Sequence, residues 1–120
     1  MKTVFLLLTN LLTTISAADW VKNQHGTYYL LPAEVSGAYT ILIERDFGVN
    51  QKNDGQNYGK EIITKVDCLV HKYALVAARR YKNGQLDKEI NYESKLGLPR
   101  LLRQLDPTTF NEYKTAGICP

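Results

Sequence analysis

Four side chains are the first places to look for chemistry in this sequence: Cys68, Cys119, His25 and His71. Cysteine and histidine can hold a metal, or act as nucleophile and base, but each use demands particular neighbours. A structural zinc site gathers its ligands from two closely spaced pairs, and two cysteines with two mutually distant histidines do not supply that pattern. For each histidine a satisfied or solvent-exposed role is expected. Asp46, Asn50, Asn53 and Asp54 offer oxygens for calcium, yet they lack the alternating ligand positions and the closing glutamate of a calcium loop. Phosphate-cradling glycine loops, a Gly-x-Ser-x-Gly elbow, His-Glu-x-x-His and paired Cys-x-x-Cys are all missing from the sequence. No acid–base or nucleophile constellation can be assembled, so the reading is a non-enzymatic protein without a cofactor or metal.

The cysteines then take their meaning from the compartment. Met1, Lys2 and Thr3 precede an apolar run, VFLLLTNLL, which ends at the small residues Ser16, Ala17 and Ala18. That is the form of a secretory signal peptide, and the run is shorter than the roughly 20 apolar residues a membrane-spanning helix requires. Cleavage is expected after Ala17 or Ala18, giving residues 1–18 as leader and 19–120 as one domain. In an exported chain an even cysteine count favours a disulfide, worth about 4 kcal/mol for a loop of this length. The leader holds one of the 15 basic residues and none of the 12 acidic ones, so the remainder is close to charge balance. So small an excess speaks against a dedicated nucleic-acid binder.

One segment departs from that balance. Residues 71–82, HKYALVAARRYK, carry Lys72, Arg79, Arg80 and Lys82 without an acid. On a strand, Lys72, Arg80 and Lys82 point one way, whereas Tyr73, Leu75, Ala77, Arg79 and Tyr81 point the other. Lys72, Arg79, Arg80, Tyr81 and Lys82 are therefore the candidate partner-binding residues, suited to an acidic protein segment, a glycan or a nucleic-acid backbone, with an acidic protein partner as the working expectation. The plainer reading is a solvated strand whose charges discourage edge pairing.

The elements that must hold these residues follow from pattern. Residues 19–22 are extended in character, and Tyr28 to Leu31 form a β-prone run stopped by Pro32. Residues 38–47 make the clearest strand, with Tyr39, Ile41, Ile43 and Phe47 on one face and Thr40, Leu42, Glu44 and Asp46 on the other. Residues 48–59 form a long polar loop. Residues 60–69 and 73–82 read as a hairpin, with Ile62, Val66 and Cys68 on one face of its first strand and Glu61, Lys65 and Asp67 opposite. Asn83-Gly84 predicts a type I′ turn into residues 85–92. Asp106-Pro107 predicts a capped helix that runs through about Thr115 and stops near Gly117.

The order of these pieces resembles the surface-adhesin protein E-like family of Gram-negative bacteria. The matching stretches are Ala18-Asp19-Trp20, Gly26-Thr27-Tyr28-Tyr29-Leu30, Asp46-Phe47, Val66-Asp67-Cys68, Tyr73-Ala74-Leu75, Tyr81-Lys82-Asn83-Gly84 and the terminal Ile118-Cys119. The resemblance implies an antiparallel sheet packed with a helix near the C-terminus, and a bond between Cys68 and Cys119. It also implies binding of host matrix proteins such as vitronectin and laminin, and of plasminogen. Two features depart from the family. Its namesake carries a lipid anchor, but no cysteine stands at the cleavage site here, so an unanchored periplasmic or secreted protein is expected. A second tryptophan expected ahead of the last helix is missing, which leaves Trp20 alone.

The expectation is thus an α+β domain: an antiparallel sheet of about five or six strands, a short C-terminal helix and one disulfide. N-terminal sequencing of the exported protein is expected to begin at Ala18 or Asp19. Retention of Met1 would contradict the leader.

Overall fold

The computed structural model describes residues 18–46 and 56–120. The expected leader up to residue 17, Phe47 and residues 48–55 of the expected polar loop lie outside the described residues; that loop, expected to reach Gly59, ends earlier, because Tyr58 and Gly59 already pair with β6. The first strands are β1 (Asp19–Lys22), β2 (Tyr28–Leu31), β3 (Glu34–Ser36) and β4 (Tyr39–Asp46). They are followed by β5 (Tyr58–Asp67), β6 (Lys72–Lys82) and β7 (Gln85–Asn91). Two short helices come next, α1 (Tyr92–Leu96) and α2 (Leu98–Leu101), and then β8 (Arg103–Gln104) and α3 (Pro107–Thr115). The strands form one antiparallel sheet in the order β1-β2-β4-β5-β6-β7. Strand β3 continues the line of β2 along the edge of β4, and β8 continues the line of β7 along β6. The sheet therefore has eight strands where the pattern predicts five or six. The additions are elements of three residues or fewer, too short to carry a periodic signal.

Turn chemistry forms as expected. Asn83 and Gly84 both adopt positive φ, 51° and 81°, and Lys82 pairs with Gln85 across the turn. Asp106 caps α3, accepting the Thr109 N–H at 3.1 Å, and Pro107 occupies the first turn, where its missing N–H costs nothing. After α3, Gly117 at φ 79° turns the chain back, and the Ile118 N–H donates to the Tyr113 carbonyl.

The core forms where α3 and the terminal residues cover one face of the sheet. Tyr29, Leu42, Val66, Leu105, Tyr113, Ile118 and Cys119 are buried together, with Leu31, Tyr73, Phe110 and Ala116 against them. On β4 the buried residues are Thr40 and Leu42, so the helix covers the face of mixed polarity and leaves Tyr39, Ile41 and Ile43 half-exposed. The hydrophobic alternation of β4 thus marks the face away from the helix. Burial of Thr40 is tolerated because its short side chain sits over the disulfide, with Oγ1 3.9 Å from Cys68 Sγ. Cys68 and Cys119 are bonded across a separation of 51 residues, which ties the chain end to the end of β5.

The opposite face is held by charge. Register places Arg45, Glu61, Arg79 and Glu89 side by side on β4, β5, β6 and β7. Glu61, which the pattern sets on the face opposite Ile62, Val66 and Cys68, is only 3 % exposed. Its carboxylate accepts from Arg45 Nε at 2.8 Å, from the Arg45 terminal nitrogen, and from Arg79 Nη1 at 2.9 Å. Arg79 Nε also donates to Glu89 at 2.5 Å. The Arg45 guanidinium lies 4.0 Å from the Tyr81 ring centre and 4.9 Å from that of Trp20. The rings keep water from the pair while the cation remains favourably placed over their faces.

A buried carboxylate is tolerable only while its partners are present. Glu61→Ala would leave two adjacent guanidinium groups without their shared anion. Both arginines keep partial solvent access, which screens the penalty, so a loss of about 1–3 kcal/mol is expected. Urea unfolding of the oxidised protein measures it, and an unchanged midpoint would mean that the row does not hold the sheet.

Candidate functional site

A concave surface lies between the β1–β2 hairpin and α3. It is an open groove of about 600 Å³. Val21, Tyr29 and Leu31 come to it from the hairpin, and Thr108, Asn111, Glu112, Thr115 and Ala116 from the helix. Strand pairing explains the hairpin side. Val21 lies opposite Tyr29, so alternation puts Val21, Tyr29 and Leu31 on the face that α3 covers. Tyr29 closes the back of the groove, its ring edge-on to Tyr113 at 6.4 Å. Burial first, and then the nearby carboxylates of Glu44 and Glu112, push the Tyr29 phenol up to about 12. Tyr113 is likewise pushed up, chiefly by burial. Both phenols stay neutral at any physiological pH.

The mouth is built by the β1–β2 turn, residues 23–27. Asn23 Oδ1 accepts the N–H groups of His25 and Thr27 at 2.9 and 3.1 Å, and Gly26 takes the positive φ of 85° that closes the turn. Asn23 Nδ2 donates to Thr27 Oγ1 at 2.7 Å and to Glu44 Oε2 at 3.3 Å, and Thr27 Oγ1 also donates to Glu44. The turn is anchored to the sheet by one carboxylate and to the helix by another. Gln24 Nε2 donates to Glu112 Oε1 at 2.7 Å, and His25 Nε2 lies 2.9 Å from Glu112 Oε2. Along the helix wall, Thr108, Asn111 and Thr115 carry side chains without a hydrogen-bond partner among the described residues. The result is an apolar floor with neutral donors and acceptors on one wall, and with Lys22 and the engaged carboxylate of Glu112 as the charged groups of the lining.

The expected basic set is divided differently. The pairing of β5 with β6 shifts between Ile63 and Thr64, where β6 carries one extra residue. Lys72 and Ala74 therefore lie across from Asp67 and Lys65, on the face that Ala77, Arg79 and Tyr81 share with Ile63 and Glu61. The common face of Lys72, Arg80 and Lys82 is thus broken by the shift. The charges are also spent locally. Arg79 is held by Glu61 and Glu89, and Arg80 by Asp87, whose pKa falls below the usual carboxylate range chiefly through that hydrogen bond. Tyr81 packs on Arg45. Lys72 and Lys82 remain exposed at opposite ends of β6.

The sequence gives no periodic sign of the groove residues. The nearest signal is Asn23-x-x-Gly26-Thr27, a turn motif that fixes the hairpin mouth but says nothing of the helix across from it. Cys68 and Cys119 spend their thiols in the disulfide, and His71 stacks on Phe110 with ring centres 3.8 Å apart. Among the described residues no three His, Cys, Asp or Glu side chains gather to hold a metal ion, and no helix is long and apolar enough to cross a membrane. In comparisons with family models, curated proteins and solved structures, nothing matches the chain.

The contact at the mouth titrates. The hydrogen bond to Glu112, followed by the charge of that carboxylate, raises the His25 pKa above its ordinary 6.5. A raised histidine pKa means that the folded state holds the proton more tightly than the unfolded one. The stabilisation is complete below the unfolded-state value and is lost as pH rises through the folded-state value. The NMR titration midpoint of His25 is expected above 6.5 and should return toward it in Glu112→Gln. Equal midpoints in the two proteins would remove the contact from solution.

Proposed function

We propose that this chain is an exported, non-enzymatic binding protein of the kind its resemblance to surface adhesins implies, and that the groove between the β1–β2 hairpin and α3 is its ligand surface. The groove carries the reading. It joins an apolar floor to polar side chains with no partner among the described residues, on a scaffold braced by a disulfide and by two anchored carboxylates. Ligand sites are commonly concave, largely apolar and furnished with a few polar groups. By resemblance, the ligand is a host matrix protein such as vitronectin or laminin, or plasminogen.

The pairing of Arg79 and Arg80 favours a second reading, a periplasmic envelope protein of the same fold without a host ligand. Carboxylates of the same sheet already pair Arg79 and Arg80, two of the four cations of the strand, so Lys72 and Lys82, at its opposite ends, are what is left to steer an acidic partner.

The two readings separate in a binding assay over immobilised vitronectin, laminin and plasminogen. Wild type is expected to bind at least one of them. Asn111→Trp, which fills the groove from an exposed position, should weaken binding about tenfold or more, the scale of one lost apolar contact region. Arg80→Ser with Lys82→Ser should leave affinity within about twofold, because such rim charges act chiefly on the association rate. If wild type binds none of the three, the envelope-protein reading replaces the adhesin one.

A further inference from the structure

On the side of α3 away from the groove, the β5–β6 turn lifts two aliphatic side chains into solvent. Leu69 is 91 % exposed and Val70 57 %. The tip that carries them is fixed from several directions. Asp67 Oδ1 accepts the N–H groups of both residues, at 3.0 and 3.2 Å. Cys68, the residue before them, is bonded to Cys119. His71, the residue after, takes the left-handed φ of 58°, stacks on Phe110 and accepts the Leu105 N–H on its carbonyl at 2.8 Å. Two exposed aliphatic side chains on a mobile loop would need no explanation. Held in one conformation, they form a preorganised contact, because the entropy of ordering the tip is already spent in folding.

We infer that the groove of one copy receives the Leu69–Val70 tip of another, joining copies head to tail. The inference rests on reading the groove as the binding surface, and it names the kind of segment that surface takes: a rigid, protruding aliphatic turn. The fit is chemical on both walls. Val21, Leu31 and Ala116 offer apolar area to Leu69 and Val70, and Asn111, Thr108 and Thr115 offer unspent donors to the carbonyl groups of a turn. A groove of about 600 Å³ has room for two such side chains and part of their backbone.

The tip cannot fill the groove of its own chain. Thr108, Asn111, Glu112 and Thr115 lie on one side of α3, and Phe110, on which the tip rests, projects from the other. The contact therefore joins two copies through different surfaces. It leaves a free tip at one end and a free groove at the other, so further copies add unless the rotation closes a ring.

Sedimentation velocity of the oxidised, exported protein over a concentration series reaching about 1 mM, the range of weak and small contacts, tests this directly. Wild type is expected to shift to larger species as concentration rises. Leu69→Ser with Val70→Ser keeps the groove and removes the tip; Asn111→Trp keeps the tip and fills the groove. Each alone should stay monomeric. Mixed in equal amounts they should form a two-copy species and nothing larger, because only one tip and one groove remain usable in the pair. Thr115→Arg serves as a second groove block, and circular dichroism checks that each variant is folded. Wild type that stays monomeric across the series overturns the inference, as do variants that associate like wild type or a mixture that forms no pair. A monomeric wild type whose matrix binding still falls with Asn111→Trp overturns self-association alone. A folded groove-filled protein that keeps full matrix affinity removes the groove reading and this inference together.

Discussion

The bond between Cys68 and Cys119 joins the end of β5 to the residues that follow α3, and the helix face of the protein is arranged around it. Ile118 and Cys119 are buried beside Val66 and Leu42, so the chain end forms part of the core it closes. That core is small: among the described residues, Leu42 and Val66 are the larger side chains that fall below 2 % exposure. A domain of this size carries roughly 5–15 kcal/mol of net stability, and a bond closing a loop of this length contributes about 4 kcal/mol of it. Apolar burial by α3 alone would leave little margin. The bond ties the residues after α3 to the end of β5, and Gln24 and His25 reach Glu112 of α3 from the β1–β2 hairpin across the groove.

The two faces of the sheet are held by different physics. The helix face relies on burial and a covalent tie. The other face relies on the row Arg45, Glu61, Arg79 and Glu89, in which each charge stands next to one of opposite sign on the neighbouring strand. Such a row is directional where apolar packing is not. A slip of one residue in β4 or β6 would send Arg45 or Arg79 to the helix face and take from buried Glu61 one of its two cations. The row therefore fixes the register of β4 to β7, while the facing of Val21, Tyr29 and Leu31 follows from the pairing of β1 with β2 and of β2 with β4.

Local chemistry was legible in the sequence wherever one short motif decides the outcome. Asn83-Gly84 makes its turn, Asp106-Pro107 starts its helix, and the two cysteines pair. Side-chain direction along β4 and β6 was not legible. On β4 the apolar residues Tyr39, Ile41 and Ile43 suggest a core face, yet burial follows Thr40 and Leu42 because the disulfide and the tail sit there. On β6 strict alternation fails, because an extra residue near Val76 changes the parity halfway along the strand. The basic run 72–82 looks unbalanced only in one dimension; its acids, Glu61, Asp87 and Glu89, stand on the neighbouring strands. The groove was invisible for the same reason, since its walls come from residues near 21–31 and near 108–116 and no local period joins them.

The proposed binding at the groove requires that α3 stand off from the hairpin, and the central claim is that the disulfide keeps it there. Amide chemical shifts of the oxidised protein, compared with those of a Cys68→Ala, Cys119→Ala double variant, test that dependence most directly. The account predicts large changes at Leu105 to Ile118 and, across the groove, at Val21, Gln24 and Leu31. The amides of β5, β6 and β7 around Glu61 should keep their shifts, because the charged row does not involve the bond. Unchanged shifts at Val21, Gln24 and Leu31, with the bond gone and the tail displaced, would contradict it.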